Sequence, residues 1–360
     1  MSDEIEGASG VRDEDSFDVD AVVAWLRDQG EEIDGDVSVL QFGGGASNLT
    51  YSIRSTGPGA GRDLILRRPP SGKKAKGAHD MGREFRIQAA LKEPFGLVPT
   101  MIGLCVDESV IGSEFYVMER IDGIIPRRDL PPEVSLTEEQ TRTLCRNALD
   151  TLVSLHRVDV TAPDLAALGK GTGYVSRQVS GWSTRYRNAI TDDAPDLDDV
   201  MAWLDEHQPD DVGNCLIHND FRFDNLVLDR DDPTQVIGVL DWEMATLGDP
   251  LMDLGGTLSY WIQADDDEFM LLFRRQPTHL PGMLTRAEVV AYYGEATGLT
   301  VTPEQWRFYE VMGLFRLAVI AQQIYYRYHH KQTTNEAYAL FGPAVHELGK
   351  RCQRIIAESA

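Results

Sequence analysis

The sequence predicts an α+β protein in two lobes, a small and mainly antiparallel sheet followed by a larger helical lobe. Three observations predict it. Between residues 37 and 68 the short runs VSVLQF, NLTYSI and DLILRR have strand composition and are separated by glycine-rich or polar turns. After residue 136 the apolar positions recur at helical spacing, as in Leu314, Leu317, Ile320 and Ile324. The 360 residues also exceed what one core usually serves, since single cores stop growing near ~250–300 residues. We expect an acidic segment with a short helix over 1–35, a first lobe over 36–121 and a second over 122–360.

Residues 1 to 15 are acidic with little to bury and are expected to lack structure. Asp18 is a good N-cap for an amphipathic helix that turns Val22, Val23 and Leu26 inward and stops at Gly30. Gly43, Gly44 and Gly45 lie between two strands. A helix from about Met81 to Leu91 carries Glu84 on the stripe Met81, Ile87 and Leu91, so a carboxylate faces the core and needs a cation. Arg67 is the candidate, with local partners Arg83, Arg86 or Gln88 as the alternative. FYVMERIDG at 115–123 reads as a strand entering a linker, and the three prolines of 126–134 as a crossing loop. Thr137 caps a helix reaching His156. GKGTG at 169–173 fails as a Walker loop because position 164 is Asp, and is expected to be a turn. An aromatic and basic helix follows over 174–190, then a surface loop and helix start over 192–199. His329 and His330 have no third metal ligand near them in sequence.

Composition excludes several classes. A mean hydropathy of −0.28 with 42% apolar residues is ordinary for a globular protein, and the longest apolar stretch, near 311–326, is broken by Arg316, Gln322 and Gln323. The net charge of −24 opposes nucleic acid and anionic membranes. Cys105, Cys145, Cys215 and Cys352 are far apart without C-x-x-C spacing, and the first residues are acidic where a signal peptide would be basic, so a reduced, cytoplasmic protein is expected. The charge is uneven: residues 62–86 hold eight Lys or Arg against three acids, an island suited to phosphate or to a solvated lysine loop at Lys73, Lys74 and Lys76.

The chemistry is concentrated between His218 and Leu254. Asp220 is followed five residues later by Asn225, and a strand-like run from Val236 to Leu240 ends at Asp241. A hydroxyl attacking the γ-phosphate of ATP needs a carboxylate to orient it and take its proton, the role expected of Asp220. The accompanying Mg²⁺ prefers oxygen ligands, expected from Asn225 and Asp241. Protein kinases use this spacing for the same work, but Gly248-Asp249-Pro250 and Asp253-Leu254 follow too soon for a long activation segment, which favours a small-molecule substrate. His218 is expected to hydrogen-bond the loop, and Phe221 and Phe223 to anchor it. Arg222 is expected to point the other way, towards an anionic substrate, and Glu243 to approach a second metal position. Asp249 and Asp253 are expected to cap and brace the next helix.

These motifs resemble the aminoglycoside phosphotransferase and choline kinase superfamily, whose pattern is H-G-D-x-x-x-x-N, then D-W/F-E with G-D-P-x-x-D-L. Asn219 stands where that pattern has Gly. LRRPPSG at 66–72, GYVSRQVSGW at 173–182 and LFRLAVIAQQIYYRY at 314–328 are most similar to the kinase-like domains associated with acyl-CoA dehydrogenases. The resemblance implies a bilobal protein-kinase-like fold. It also implies a glycine loop over the triphosphate with Ser47 and Asn48 as contacts, and Arg67 in the place of the usual strand lysine that holds the phosphates. The adenine would lie against backbone groups of Glu119 and Ile121, with Met118 behind the ring.

The acceptor separates the readings. An aminoglycoside needs converging carboxylates, whereas a hydroxyacyl-CoA needs cations, for which Arg222, Arg316 and the 62–86 island are candidates. A catalytically silent nucleotide-binding or docking module is the third reading, kept open by Arg67.

Overall fold

The computed structural model describes residues 7–43, 48–57, 61–70 and 80–358. Backbone contacts divide it into two units, residues 1–122 with 238–243, and residues 123–237 with 244–360. The segment 238–243, which the sequence places with the helical lobe, thus packs with the first unit.

The first unit is built on one antiparallel sheet. Its strands are β1 (Ala8–Ser9), β2 (Val37–Phe42), β3 (Leu49–Ser55), β4 (Asp63–Arg68), β5 (Met101–Cys105) and β6 (Phe115–Glu119), in the spatial order β1-β2-β3-β4-β6-β5. Register sets Arg67 opposite Thr50 on one side and Tyr116 on the other. Helix α1 (Val19–Asp28) starts at Asp18, whose carboxylate accepts from the Ala21 N–H, and buries Val22, Val23 and Leu26 against Tyr51, Ile53, Phe115 and Val117. Helix α2 (Met81–Leu91) buries Met81, Glu84, Ile87 and Leu91 along one stripe. The expectation of an unstructured residue 1–15 segment fails for its described part. Ala8–Ser9 pairs with β2, and Asp15 is buried, bonded to Gln41 and Arg12, while its carbonyl accepts from Tyr51 and Arg68. An acidic residue becomes core-compatible when donors meet it, as Arg12 and Gln41 do at Asp15 Oδ2.

The second unit is mainly helical, with α3 (Glu138–His156), α4 (Pro163–Ala166), α5 (Tyr174–Asn188), α6 (Asp198–Glu206), α7 (Pro250–Ser259), α8 (Glu268–Leu272), α9 (Arg286–Thr297), α10 (Pro303–His329) and α11 (Phe341–Ala357). Short strands interrupt the helices: β7 (Cys215–Ile217) pairs antiparallel with β10 (Thr246–Gly248), while β8 (Leu226–Leu228) joins β9 (Val236–Val239). Thr137 and Gln140 form a full capping box at α3. Helices α7 and α10 meet backbone to backbone: a Cβ on Gly255 would lie 2.7 Å from the Tyr309 carbonyl oxygen, and one on Gly313 2.3 Å from that of Gly255. This contact carries α10 past the loop that follows β7. Among the described residues no helix is long and apolar enough to cross a membrane.

Candidate functional site

The residues singled out by sequence fall into two polar clusters, one in each unit. In the first, Arg67 on β4 reaches Glu84 on α2, and its Nη2 lies 3.1 Å from Asp241 Oδ1. Burial opposes the Arg67 charge, but the fields of Tyr116, Glu84 and Asp241 outweigh it and raise the pKa. Burial pushes the Glu84 carboxyl up, and Arg67 pulls it partly back. Asp241 sits at φ 66°, in the left-handed region that few side chains adopt. The buried Trp242 beside it fixes that turn by donating its indole N–H to the Val239 carbonyl at 2.9 Å and packing edge-on to Phe95. Asp241 Oδ1 is committed to Arg67, while Oδ2 has no partner among the described residues.

Glu243 accepts from Asn48 Nδ2 at 3.4 Å through its carboxylate and from Arg83 Nη1 at 2.9 Å through its carbonyl. Met118 is buried, in register with Ile65 and packed against Met81 and Tyr116. Glu119 gives its N–H to the Thr100 carbonyl at 2.8 Å, and Ile121 lies two residues on, half-buried. Gly43 closes β2, donating its N–H to Gly7; Gly44, Gly45 and Ser47 lie outside the described residues, as do Lys73, Lys74 and Lys76.

In the second unit the loop after β7 is held by one carboxylate. Asp253 on α7 accepts the His218 N–H at 2.8 Å, the Asn219 N–H at 2.7 Å and His156 Nε2 at 3.1 Å. Burial would raise its pKa, but the His156 bond and charge, with His218, bring it below the ordinary carboxylate value. His156 is in turn fixed by the Tyr293 hydroxyl at 2.6 Å. Asp249, the α7 cap, accepts from Leu251, Met252 and Val212. Burial lifts it to about 6, with the three N–H groups only partly offsetting this.

Asn219 takes φ 65°. Its carbonyl accepts from Arg316 Nη2 at 2.6 Å, its Oδ1 from the Tyr174 hydroxyl at 3.1 Å, and its Nδ2 donates to the Met244 carbonyl at 3.1 Å. His218 is fully buried and accepts the Asp220 N–H through Nδ1 at 3.2 Å. The next residues are gathered around Asp220. Asn225 Nδ2 donates to the Asp220 carbonyl at 2.8 Å and to its Oδ2 at 3.0 Å. The Arg222 Nε lies 3.1 Å from Asp220 Oδ1 and its Nη2 3.4 Å from Asp224, with the guanidinium over the Tyr260 ring. Phe221 and Phe223 are buried, the latter donating its N–H to Gln276 Oε1.

Arg316, half-buried, sits over Trp182 at 5.5 Å and lines a cleft of about 500 Å³ together with Tyr174, Arg177, Trp182 and Asn219. The sequence missed His156, Tyr293, Gln276 and Tyr260, none of which belongs to a spaced motif. It also separated His329 from any third ligand, whereas the structure brings Asp192 and Asp193 to it on the surface.

A model of the phosphotransferase enzyme family matches residues 38–289. Acyl-CoA dehydrogenase family member 10 of Mus musculus is 37% identical over 86% of this chain, which spans 28% of the length of that relative. Among solved structures, a Ralstonia eutropha protein provisionally named an aminoglycoside phosphotransferase is 29% identical with a TM-score of 0.79, covering 95% of this chain and 99% of its own. A choline kinase of Cryptosporidium parvum shares the fold at 12% identity and a TM-score of 0.64, over 95% of this chain and 96% of its own.

Proposed function

Since this chain belongs to the phosphotransferase enzyme family, we propose that it moves the γ-phosphate of ATP to a hydroxyl of a small molecule, a hydroxyacyl-CoA-like acceptor, in a cytoplasmic setting. The observation that carries the reading is the Asp220 cluster: Asn225 fixes both the carbonyl and the carboxylate of Asp220, leaving a carboxylate oriented by its own loop. In the proposed reaction Asp220 takes the proton of the acceptor hydroxyl, whose oxygen bonds to the γ-phosphorus as the bond to the β-phosphate oxygen breaks and ADP leaves. Arg67 holds the phosphates, its charge maintained by Glu84 and Asp241.

The donor set suits Mg²⁺. The Asn225 amide gives its nitrogen to Asp220, so its oxygen remains, and Asp241 keeps Oδ2. Both are hard oxygen ligands of the kind that ion takes. When bound, the ion neutralises charge on the transferred phosphoryl group.

The cation-rich lining around Arg316 supports an anionic acceptor over a polycationic aminoglycoside. The silent-module reading draws on Arg67, whose guanidinium is already matched by two carboxylates. Purified protein with ATP and Mg²⁺ should release ADP with hydroxyacyl-CoAs and not with aminoglycosides. Release with aminoglycosides alone would replace the acceptor, and release with neither would favour the silent module.

A further inference from the structure

We propose that the second unit's cleft is a binding site for a diphosphate-bearing chain, built by Arg177 and Arg185 of α5, Lys170 before it and Arg316 of α10, with Trp182 as an aromatic wall. The proposal deepens the acceptor reading above and names where that acceptor's diphosphate is held. All four charged residues lining the cleft are cations, in a chain of net charge −24. None of the four has an ion-pair partner among the described residues. Arg177 donates only to the carbonyls of Gly171 and Thr172, and Arg316 only to that of Asn219.

The Nε of Arg316 is buried and without a partner, a cost that an anionic oxygen would relieve. Buried Trp182 carries Arg185 at 4.4 Å and Arg316 at 5.5 Å from its ring, so the cations are gathered beside an aromatic face. A volume of about 500 Å³ suits an extended ligand better than a single phosphate. Planar guanidinium forks match phosphate oxygens in pairs. Asn219 lines the same cleft and immediately precedes Asp220, so a chain gripped at Arg177 and Arg185 can lead towards the carboxylate.

The test is calorimetric titration of the full chain with coenzyme A, with no phosphoryl donor present. Coenzyme A should bind, and pantetheine, which lacks the diphosphate, should not. The double substitution Arg177→Ala with Arg185→Ala should weaken binding about 30-fold or more. Arg185→Glu alone should also weaken it, and because that side chain is exposed the melting temperature should hold. Failure of wild-type protein to bind coenzyme A, equal binding of pantetheine, or full affinity in both variants would overturn the proposal. Because no transfer is measured, a protein that binds coenzyme A but phosphorylates no acceptor would sink the catalytic reading and leave this one standing.

Discussion

Arg67 and Arg316 are both partly buried arginines, and both leave Nε without a partner, yet their charges are treated differently. Arg67 in the first unit lies between two carboxylates, Glu84 and Asp241. Arg316 in the second has a carbonyl oxygen and an indole face. A buried charge is tolerated when it is paired and hydrogen-bonded. Arg67 is therefore a paired cation, which under the proposed function exchanges a protein carboxylate for a phosphate. Arg316 has no carboxylate to give up, so an incoming anion meets an uncompensated charge. The two carboxylates of the second unit differ in their partners: Asp253 takes two backbone N–H groups and His156, whereas Asp220 meets the side chains of Arg222 at Oδ1 and Asn225 at Oδ2.

The largest effect should come from Asp220. Asp220→Ala is expected to lower turnover about 10³-fold, the scale of a positioned general base, with nucleotide affinity unchanged. Steady-state kinetics beside nucleotide titration would check it, and unaltered turnover would remove Asp220 from the mechanism.

Second comes the brace beneath it. Asp253→Asn removes the charge facing His156 and should cost about 3 kcal/mol of stability, the usual penalty for breaking a buried pair. The sign with pH follows from the lowered folded pKa. The contribution is complete above the ordinary 3.8 and is lost as pH falls through the folded value. Denaturant melts of the wild type should therefore lose stability on acidification below about 4, a loss that Asp253→Asn should blunt; parallel acid limbs in the two proteins would refute the assignment.

The comparison also explains what could be read without coordinates. Asp18, Thr137 and the spacing from Asp220 to Asn225 were legible because they act within one turn or loop, where sequence distance and spatial distance agree. The burial of Glu84 followed from helix periodicity alone. His156, Tyr293 and Gln276 were not legible, since each meets its partner from a distant helix or loop and carries no spacing of its own. That Arg222 meets Asp220 and Asp224 was not legible, because the 3-10 turn Phe223–Asn225 that follows it brings those carboxylates within reach. The ordered Asp15 depended on donors from Gln41 and Arg12, the first of them on another element.

A smaller effect tests the carboxylate pair around Arg67. Arg67→Lys keeps the charge but replaces a fork by a point, which cannot span Glu84 and Asp241 together. It should cost roughly 1–2 kcal/mol, a charged hydrogen bond's worth, and nucleotide binding should survive. Calorimetric nucleotide titration with thermal melts would show it; abolished binding would mean the fork itself grips the phosphates.

The smallest effect expected is that of a glycine at Asn219, where backbone and side chain are both satisfied. Asn219→Gly keeps the left-handed turn at no steric cost and loses the bonds to Tyr174 and Met244, so a net loss of about 1 kcal/mol is expected. Asn219→Ala loses the same bonds and must also hold φ 65° with a Cβ, a further ~1–2 kcal/mol. The ordering of the two melting temperatures decides what Asn219 does. A glycine variant above the alanine variant assigns the turn to backbone conformation. Equal losses would assign it to the amide's bonds, and Asp220 would then be held by its neighbour's side chain rather than by the shape of the loop.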